Sequence, residues 1–444
     1  MIIMAGLPPE LVSKYAKQPD ILGDKKRLTL TNSFKELERA KKVIPDGVYG
    51  MRGPAFFVPG EYPIYIDHGK NCHMWDIDGN EYIDFIASYG PTTLGFVEDS
   101  INDAVKERID KGFSFSLPQI EQTTLAEKLC KIIPGAEKVV FARTGTDTTS
   151  IAIRIARAYT KKEIILTDGY HGWGEFSQYE PDAGIPEKIR KLTVRVPYGR
   201  ADLYEENIKK GNVAAIMVTP IYHELMEKIY YDKKFLEDLR ELSTKYDIPL
   251  IFDEVRSGFR TSLGGAAEYI GVTPDITCLS KAIANGYILG AVSGKTKLLQ
   301  MVAKGGGTNG TYISSTFFLN SLEMVAANKT IAFYIENNVN DEINRKGEYF
   351  SQKIDEIIEK HHAPMINAGI PSMPSFLFDK KILGEELWAA STFTLFSYLI
   401  RSGIFMHPYH QSYIAYRHTK KDLDKALNAL DKGIKVVKEL HPWD

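Results

Sequence analysis

Between about residue 97 and residue 300 the chain alternates short, almost wholly apolar runs with longer stretches whose apolar positions recur every three to four residues. The apolar runs are VVFA (139–142), EIILT (163–167), AAIMVT (214–219), PLIFD (249–253) and DITCL (275–279). Each has the length of a strand and lacks a polar face, which predicts a mostly parallel sheet covered by helices on both sides. TTSIAIRIARAYT (148–160) and KKFLEDLRELSTKY (233–246) carry the helical period between them. Upstream, CHMWDIDGNEYIDFI (72–86) sets Asp78-Gly79 between two alternating runs, the short-range pattern of a β-hairpin. FKELERAKKVI (34–44) predicts a charged helix in a segment otherwise punctuated by Gly and Pro. Beyond about 320, FLNSLEMVAANKTIAFYIENN (318–338) and KKDLDKALNALDKGIKVVKEL (420–440) predict helices that bracket a less regular region. The expected organisation is an N-terminal segment over 1–75, a large α/β domain over 76–320, and a smaller α+β domain over 321–444 to which the N-terminal segment contributes.

A chain of 444 residues, 44% hydrophobic and 25% charged, is too long for one simple core. Its 55 basic and 57 acidic side chains leave a net charge of −2, which gives no electrostatic reason for a nucleic-acid or membrane partner and favours small-molecule chemistry. Cys72, Cys130 and Cys278 have neither CxxC nor Cys/His spacing, so neither a disulfide framework nor a metal site is expected, and the cytoplasm is the natural compartment. No run approaches the roughly 18 apolar residues of a membrane span, and MIIMAGLPPELVSK is too short in its apolar part for a secretory signal.

In an open α/β sheet, ligands bind beyond the carboxyl ends of the strands, so the polar residues that follow each apolar run come first. FARTGTDTTS (141–150) runs from a strand through Thr144-Gly145-Thr146 into a helix, where free N–H groups and a small residue suit a phosphate. PLIFDEVRSGFR (249–260) ends a buried strand on Asp253, which must meet a cation, hydrogen-bond donors or a helix start. DITCLSKAIANGYILGAV (275–292) places Lys281 two residues after a strand, where desolvation would lower its amine pKa toward that of a nucleophile. LTDGYHGWGEF (166–176) offers Tyr170, His171 and Trp173 for stacking on a planar ligand. A lysine, a carboxylate, a phosphate cradle and an aromatic face are together what pyridoxal 5'-phosphate requires. A dinucleotide-dependent oxidoreductase is excluded, because no GxGxxG follows an early strand.

Several stretches in order resemble the class III aminotransferases, and within them most of all the glutamate-1-semialdehyde 2,1-aminomutase branch. They are AKKVIPDGV (40–48), MWDIDGNEYIDFIASYGPTTLG (74–95), TGTDTTSIAIRIARAYT (144–160), GYHGW (169–173), FDEVRSGFR (252–260) and PDITCLSKAIANGYILGAVSG (274–294), with the 28-residue step from Asp253 to Lys281. The resemblance implies an aspartate-aminotransferase-like fold (type I among pyridoxal phosphate enzymes), with Lys281 holding the cofactor as a Schiff base and Asp253 paired with its ring nitrogen. It further implies Thr144, Gly145 and Thr146 at the phosphate, Tyr170 on one face of the ring and Val255 on the other, with His171 beside them. Thr316, in SSTFFLNSLEM (314–324), falls where the family reaches the phosphate of the neighbouring subunit, which implies a homodimer with shared sites. Arg52 falls near an arginine that holds a substrate carboxylate, and Tyr89 and Trp173 join it as candidate substrate contacts, with Tyr49, His223, Arg256 and Tyr409 as further walls.

The resemblance lapses at TPIYHE (219–224), where the family's asparagine for the phenolic oxygen is absent and His223 or Tyr222 is left to replace it, and at STFFLNS (315–321), where Phe317 and Phe318 stand in place of small residues. No glutamate of the aminomutase pattern is found in HPYHQSYIAYRHT (407–419). The implied function is transfer of an amino group between a small-molecule amino donor and a carbonyl acceptor. An aminomutase, an amino-acid racemase or epimerase, and a catalytically silent binding protein on the same scaffold are the alternatives.

Overall fold

The computed structural model describes residues 14–443 except 16, 179, 224–228 and 304–308. The apolar N-terminal residues 1–13 and Glu224 therefore lie outside the described residues.

The Asp78-Gly79 turn joins β2 (His73–Asp76) to β3 (Glu81–Asp84) as an antiparallel hairpin, and β1 (Ile66–Lys70) pairs with β2 on the other side. The Asp76 carboxylate accepts the N–H groups of Asp78 (3.0 Å) and Asn80 (2.8 Å) and the Tyr82 hydroxyl (2.7 Å), which fixes the turn from inside. The Asp78 carboxylate reaches outward instead and accepts the N–H groups of Asn32 (2.7 Å) and Ser33 (2.9 Å). These are first-turn donors of helix α1 (Thr31–Ala40), so a remote carboxylate caps the helix. It consequently starts before residue 34 and ends before residue 44, unlike the expectation from its charge pattern.

The large sheet consists of β4 (Lys138–Ala142), β5 (Ile164–Thr167), β6 (Thr193–Arg195), β7 (Val213–Val218), β8 (Leu250–Asp253), β9 (Ile276–Leu279) and β10 (Gly290–Gly294), in the order β4-β10-β9-β8-β7-β5-β6. All neighbours are parallel except β10, which runs antiparallel to both β4 and β9. The five apolar runs expected as strands are five of these seven. The other two carry weak signals: TVR is very short, and GAVSG has a glycine at each end. Those glycines are steric: a Cβ on Gly294 would come within 2.4 Å of the Asp275 carbonyl oxygen, and one on Gly290 within 2.7 Å of the Thr148 side chain.

Alternate residues of one strand enter opposite layers. Leu250 and Phe252 pack with Phe235, Leu236 and Leu239 of helix α3 (Lys233–Tyr246), whereas Ile251 packs with Ile151, Ala152 and Ile155 of helix α2 (Gly145–Thr160). Burial on both faces is the reason these strands lack a polar periodicity.

Helix α4 (Ser321–Glu336) starts later than its apolar pattern suggests, because the backbone turns over 316–319 and the Ser321 N–H donates to the Phe113 carbonyl at 3.1 Å. The region expected to be less regular contains two long helices, α5 (Val339–His361) and α6 (Lys380–Arg401). From Trp388 to Arg401 every residue of α6 is buried, so no amphipathic stripe marks it. Helix α7 (Lys420–Leu440) opens on a Thr419/Asp422 capping box. Strand β11 (Ile404–Phe405) then pairs parallel with β3, joining the C-terminal region to the N-terminal hairpin. Among the described residues no helix is long and apolar enough to cross a membrane, and the three cysteines are unpaired.

Candidate active site

Four parallel strands deliver polar groups to one edge of the sheet. Asp253 ends β8, and its Oδ2 lies 2.8 Å from Nδ1 of His171, whose Nε2 lies 3.0 Å from Oδ1 of Asp168, just past β5. All three side chains are buried. The second Asp253 oxygen accepts the Val255 N–H at 3.0 Å, and Asp168 also accepts the Thr219 N–H at 3.1 Å, just past β7. Burial alone would keep His171 neutral, but the hydrogen bonds and charges of two carboxylates outweigh it and raise its pKa to about 9. Burial would likewise raise Asp253, and the imidazolium overrides it and holds the carboxyl below its ordinary range. The unit is an anion-cation-anion chain with Asp253 charged at its inner end. His171, expected beside a ring ligand as one of three aromatics, instead has both nitrogens on carboxylates, and its carbonyl accepts the Thr149 hydroxyl at 2.7 Å.

Lys281 follows the neighbouring strand β9 and receives the opposite treatment. It opens a tight turn over Lys281–Ala284 with φ of 50°, a left-handed conformation uncommon for lysine. The Asn285 side chain closes this turn, accepting the Leu94 N–H at 2.9 Å and donating to the Gly95 carbonyl at 3.2 Å. Among the described residues no carboxylate forms an ion pair with Lys281. Burial lowers its pKa to about 7, the Arg256 charge adds to the effect, and Asp253 only partly opposes it. Near neutral pH the amine is therefore available as a nucleophile or base.

The start of α2 adds a third element. Thr144 and Asp147 form a reciprocal capping box, the Asp147 N–H donating to the Thr144 hydroxyl at 3.2 Å and the Thr144 N–H to the Asp147 carboxylate at 2.8 Å. That leaves the N–H groups of Gly145 and Thr146 without an acceptor among the described residues, in the positive end field of a 16-residue helix. The surrounding packing requires glycine: a Cβ on Gly145 would lie 2.7 Å from the Val255 side chain, and one on Gly172 2.6 Å from the Thr146 hydroxyl. Val255, Thr146 and the 169–173 loop thus lie edge to edge.

These elements border a cavity of about 850 Å³ lined by Lys281, Asp168, Tyr170, Arg256, His223 and Tyr89, among others. Tyr170 is half exposed to it, and Trp173, Glu175 and Asp182 form part of its solvent-exposed wall. Arg52 also lines it, its guanidinium 5.5 Å over the Tyr89 ring, and the Tyr89 hydroxyl donates to the Met51 carbonyl at 2.7 Å. Ala87, Ser88 and Tyr89 form three successive left-handed residues, with φ of 47°, 55° and 69°. The buried guanidinium of Arg260 secures this strained turn by donating to the Gly90 carbonyl (2.6 Å) and the Thr93 hydroxyl (2.9 Å). Tyr49 and Tyr409 do not line the cavity, nor do Thr144, Gly145, Thr146 and Val255, which adjoin it through the 169–173 loop. Thr316 is exposed and apart from the cavity. Asp168 and His410 belong to the site without having been singled out; Asp168 had a usable signal, a carboxylate three residues before His171 at a strand end.

A desolvated amine, a carboxylate held anionic by an imidazolium, and two free N–H groups at a helix start form a donor set that fits pyridoxal phosphate, one group for each polar end of that molecule.

The family model for aminotransferase class-III matches residues 58–432. The chain is 42% identical over 418 residues to 3-aminobutyryl-CoA aminotransferase of Cloacimonas acidaminovorans, covering 93% of this chain and 99% of that one. It is 33% identical over 434 residues to glutamate-1-semialdehyde 2,1-aminomutase of Fusobacterium nucleatum, covering 93% and 99%. Among solved structures, an omega-transaminase from Sphaerobacter thermophilus superposes with a TM-score of 0.83 at 26% identity, covering 91% of this chain and 98% of that one.

Proposed function

We propose that this chain, which belongs to the class-III aminotransferases, transfers amino groups at Lys281 with a 3-amino acyl compound as donor. That the protein is an aminotransferase follows from its family; the assignment of residues and of donor is the proposal. The donor class is suggested by the likeness to a 3-aminobutyryl-CoA aminotransferase. The observation that carries the residue assignment is Lys281 itself: a partly buried amine, without a carboxylate partner among the described residues, on the wall of a cavity of about 850 Å³.

Pyridoxal phosphate, when bound, supplies an electron sink for the bond broken at the substrate carbon. The chain's own groups do the rest. Lys281 would hold the cofactor, and its lowered pKa lets its amine take a proton from the substrate carbon and return it near neutrality. Asp253, kept charged by His171, would hold a proton on the ring nitrogen. The N–H groups of Gly145 and Thr146, with the Thr146 hydroxyl, receive the phosphate. Tyr170 and Val255 would confine the ring.

The protein acts as a homodimer in which Thr316 of each protomer reaches the other's phosphate. Support comes from the segment around it, where Tyr312, Phe317 and Leu319 are exposed apolar residues next to an exposed Thr316.

The test is multiple-turnover assay of the cofactor-saturated protein with 3-aminobutyryl-CoA and a keto acid. Amino transfer that needs both, and that Lys281→Ala abolishes, is expected. Isomerisation of glutamate-1-semialdehyde with no acceptor present would instead identify an aminomutase, the reading favoured by the 33% identical relative.

A further inference from the structure

The cavity wall holds a cation that none of the roles above uses. Arg256 lies three residues past Asp253, lines the cavity with Lys281, and has a buried Nη1 with no hydrogen-bond partner. Among the described residues no carboxylate forms an ion pair with it. Beside it on the same wall, His223 has both ring nitrogens buried and unpartnered, and the His410 ring lies 5.8 Å away. Both imidazoles are kept neutral, first by burial and then in part by the Arg256 charge. A guanidinium and a neutral imidazole that face a cavity without partners cost stability unless something in the cavity accepts from them. Lys281 does not, because neither Arg256 Nη1 nor either ring nitrogen of His223 is hydrogen-bonded to it.

We propose that Arg256, assisted by His223, is the specificity-determining residue that receives the acyl oxygen of the substrate. A guanidinium accepts no proton at working pH and offers a planar pair of donors, so it suits a carbonyl or carboxylate oxygen and rejects a substrate lacking one. This rests on Lys281 as the reacting centre; it does not rest on which amino donor the enzyme uses.

The experiment uses the holoenzyme, Arg256→Met and Arg256→Lys, with three probes: S-butyryl-N-acetylcysteamine and butyrate as unreactive acyl ligands, and 2-aminobutane as an amine of similar size without an acyl group. Dissociation constants are read from the perturbation of cofactor absorbance, and the same absorbance reports that the site is loaded. Arg256→Met is expected to weaken both acyl ligands by about 10- to 100-fold, the loss of one or two hydrogen bonds to a charged donor, and to leave 2-aminobutane within threefold. Arg256→Lys is expected to recover butyrate binding more than thioester binding. An equal loss for all three probes, or no loss for the acyl ligands, overturns the proposal. Because these are binding measurements, they remain decisive if 3-aminobutyryl-CoA is not turned over, which would count against the donor assignment alone.

Discussion

Asp253 and Lys281 end or follow two strands that lie side by side, β8 and β9, yet the fold treats them in opposite ways. Asp253 is buried, and Lys281 is partly buried on the wall of the cavity. The carboxylate is given a dedicated cation, His171, itself backed by Asp168, and stays ionised. The amine is given no ion pair among the described residues and a like charge, Arg256, and is driven toward neutrality. One burial penalty is offset by a partner and its neighbour is left to act on the proton equilibrium, so an anion and an amine that titrates near neutrality coexist in one site.

The strongest way to break this contrast is to remove the charge from the partnered side. Asp253→Asn should leave the protein folded and able to bind cofactor while lowering turnover at least about a hundredfold, or some 2.7 kcal/mol of barrier. Turnover within a few-fold of the wild type would show that the anion is not needed.

A smaller effect sharpens the role of the supporting carboxylate. His171 has its pKa raised to about 9 in the folded protein, above the ordinary value of 6.5. Its contribution to stability is therefore fully present below about pH 6.5 and is lost as pH rises through about 9. Asp168→Asn removes one of the two carboxylates, so the alkaline limbs of both activity and thermal midpoint should move to lower pH by about a unit. The check is a pH series from 6 to 10; unchanged limbs would separate Asp168 from the chain of charges.

The smallest expected effect lies outside the strand ends. Thr316→Val should loosen cofactor retention about tenfold, the loss of one hydrogen bond to a charged acceptor, while circular dichroism and the thermal midpoint of the apoprotein stay close to wild type. A lower midpoint with unchanged retention would assign Thr316 to the turn before α4 rather than to a shared site.

The same contrast explains what was legible in the sequence. The strands that carry Asp253, Lys281 and Asp168 are buried on both faces, so they read as apolar runs and the polar residue after each run stands out. Strand β10 does not, because close approach to Asp275 and Thr148 requires glycines that mimic a turn. Helix α6 loses its periodicity through burial on all sides, and α1 is displaced by a cap from Asp78, 46 residues away from Asn32. His171 was conspicuous as an aromatic in a loop, but its pairing with two carboxylates depends on the order β9-β8-β7-β5, which no local pattern encodes. Arg256 is similar: its position after Asp253 is plain, whereas its lack of a partner is a property of the assembled cavity.

The central claim, that Lys281 is the neutral nucleophilic amine of this site, is tested most directly by borohydride reduction of the holoenzyme at neutral pH followed by peptide mapping. Reduction should leave one pyridoxyl group per chain, on the peptide that carries Lys281, and none in Lys281→Ala. A stoichiometric label on any other lysine would contradict it.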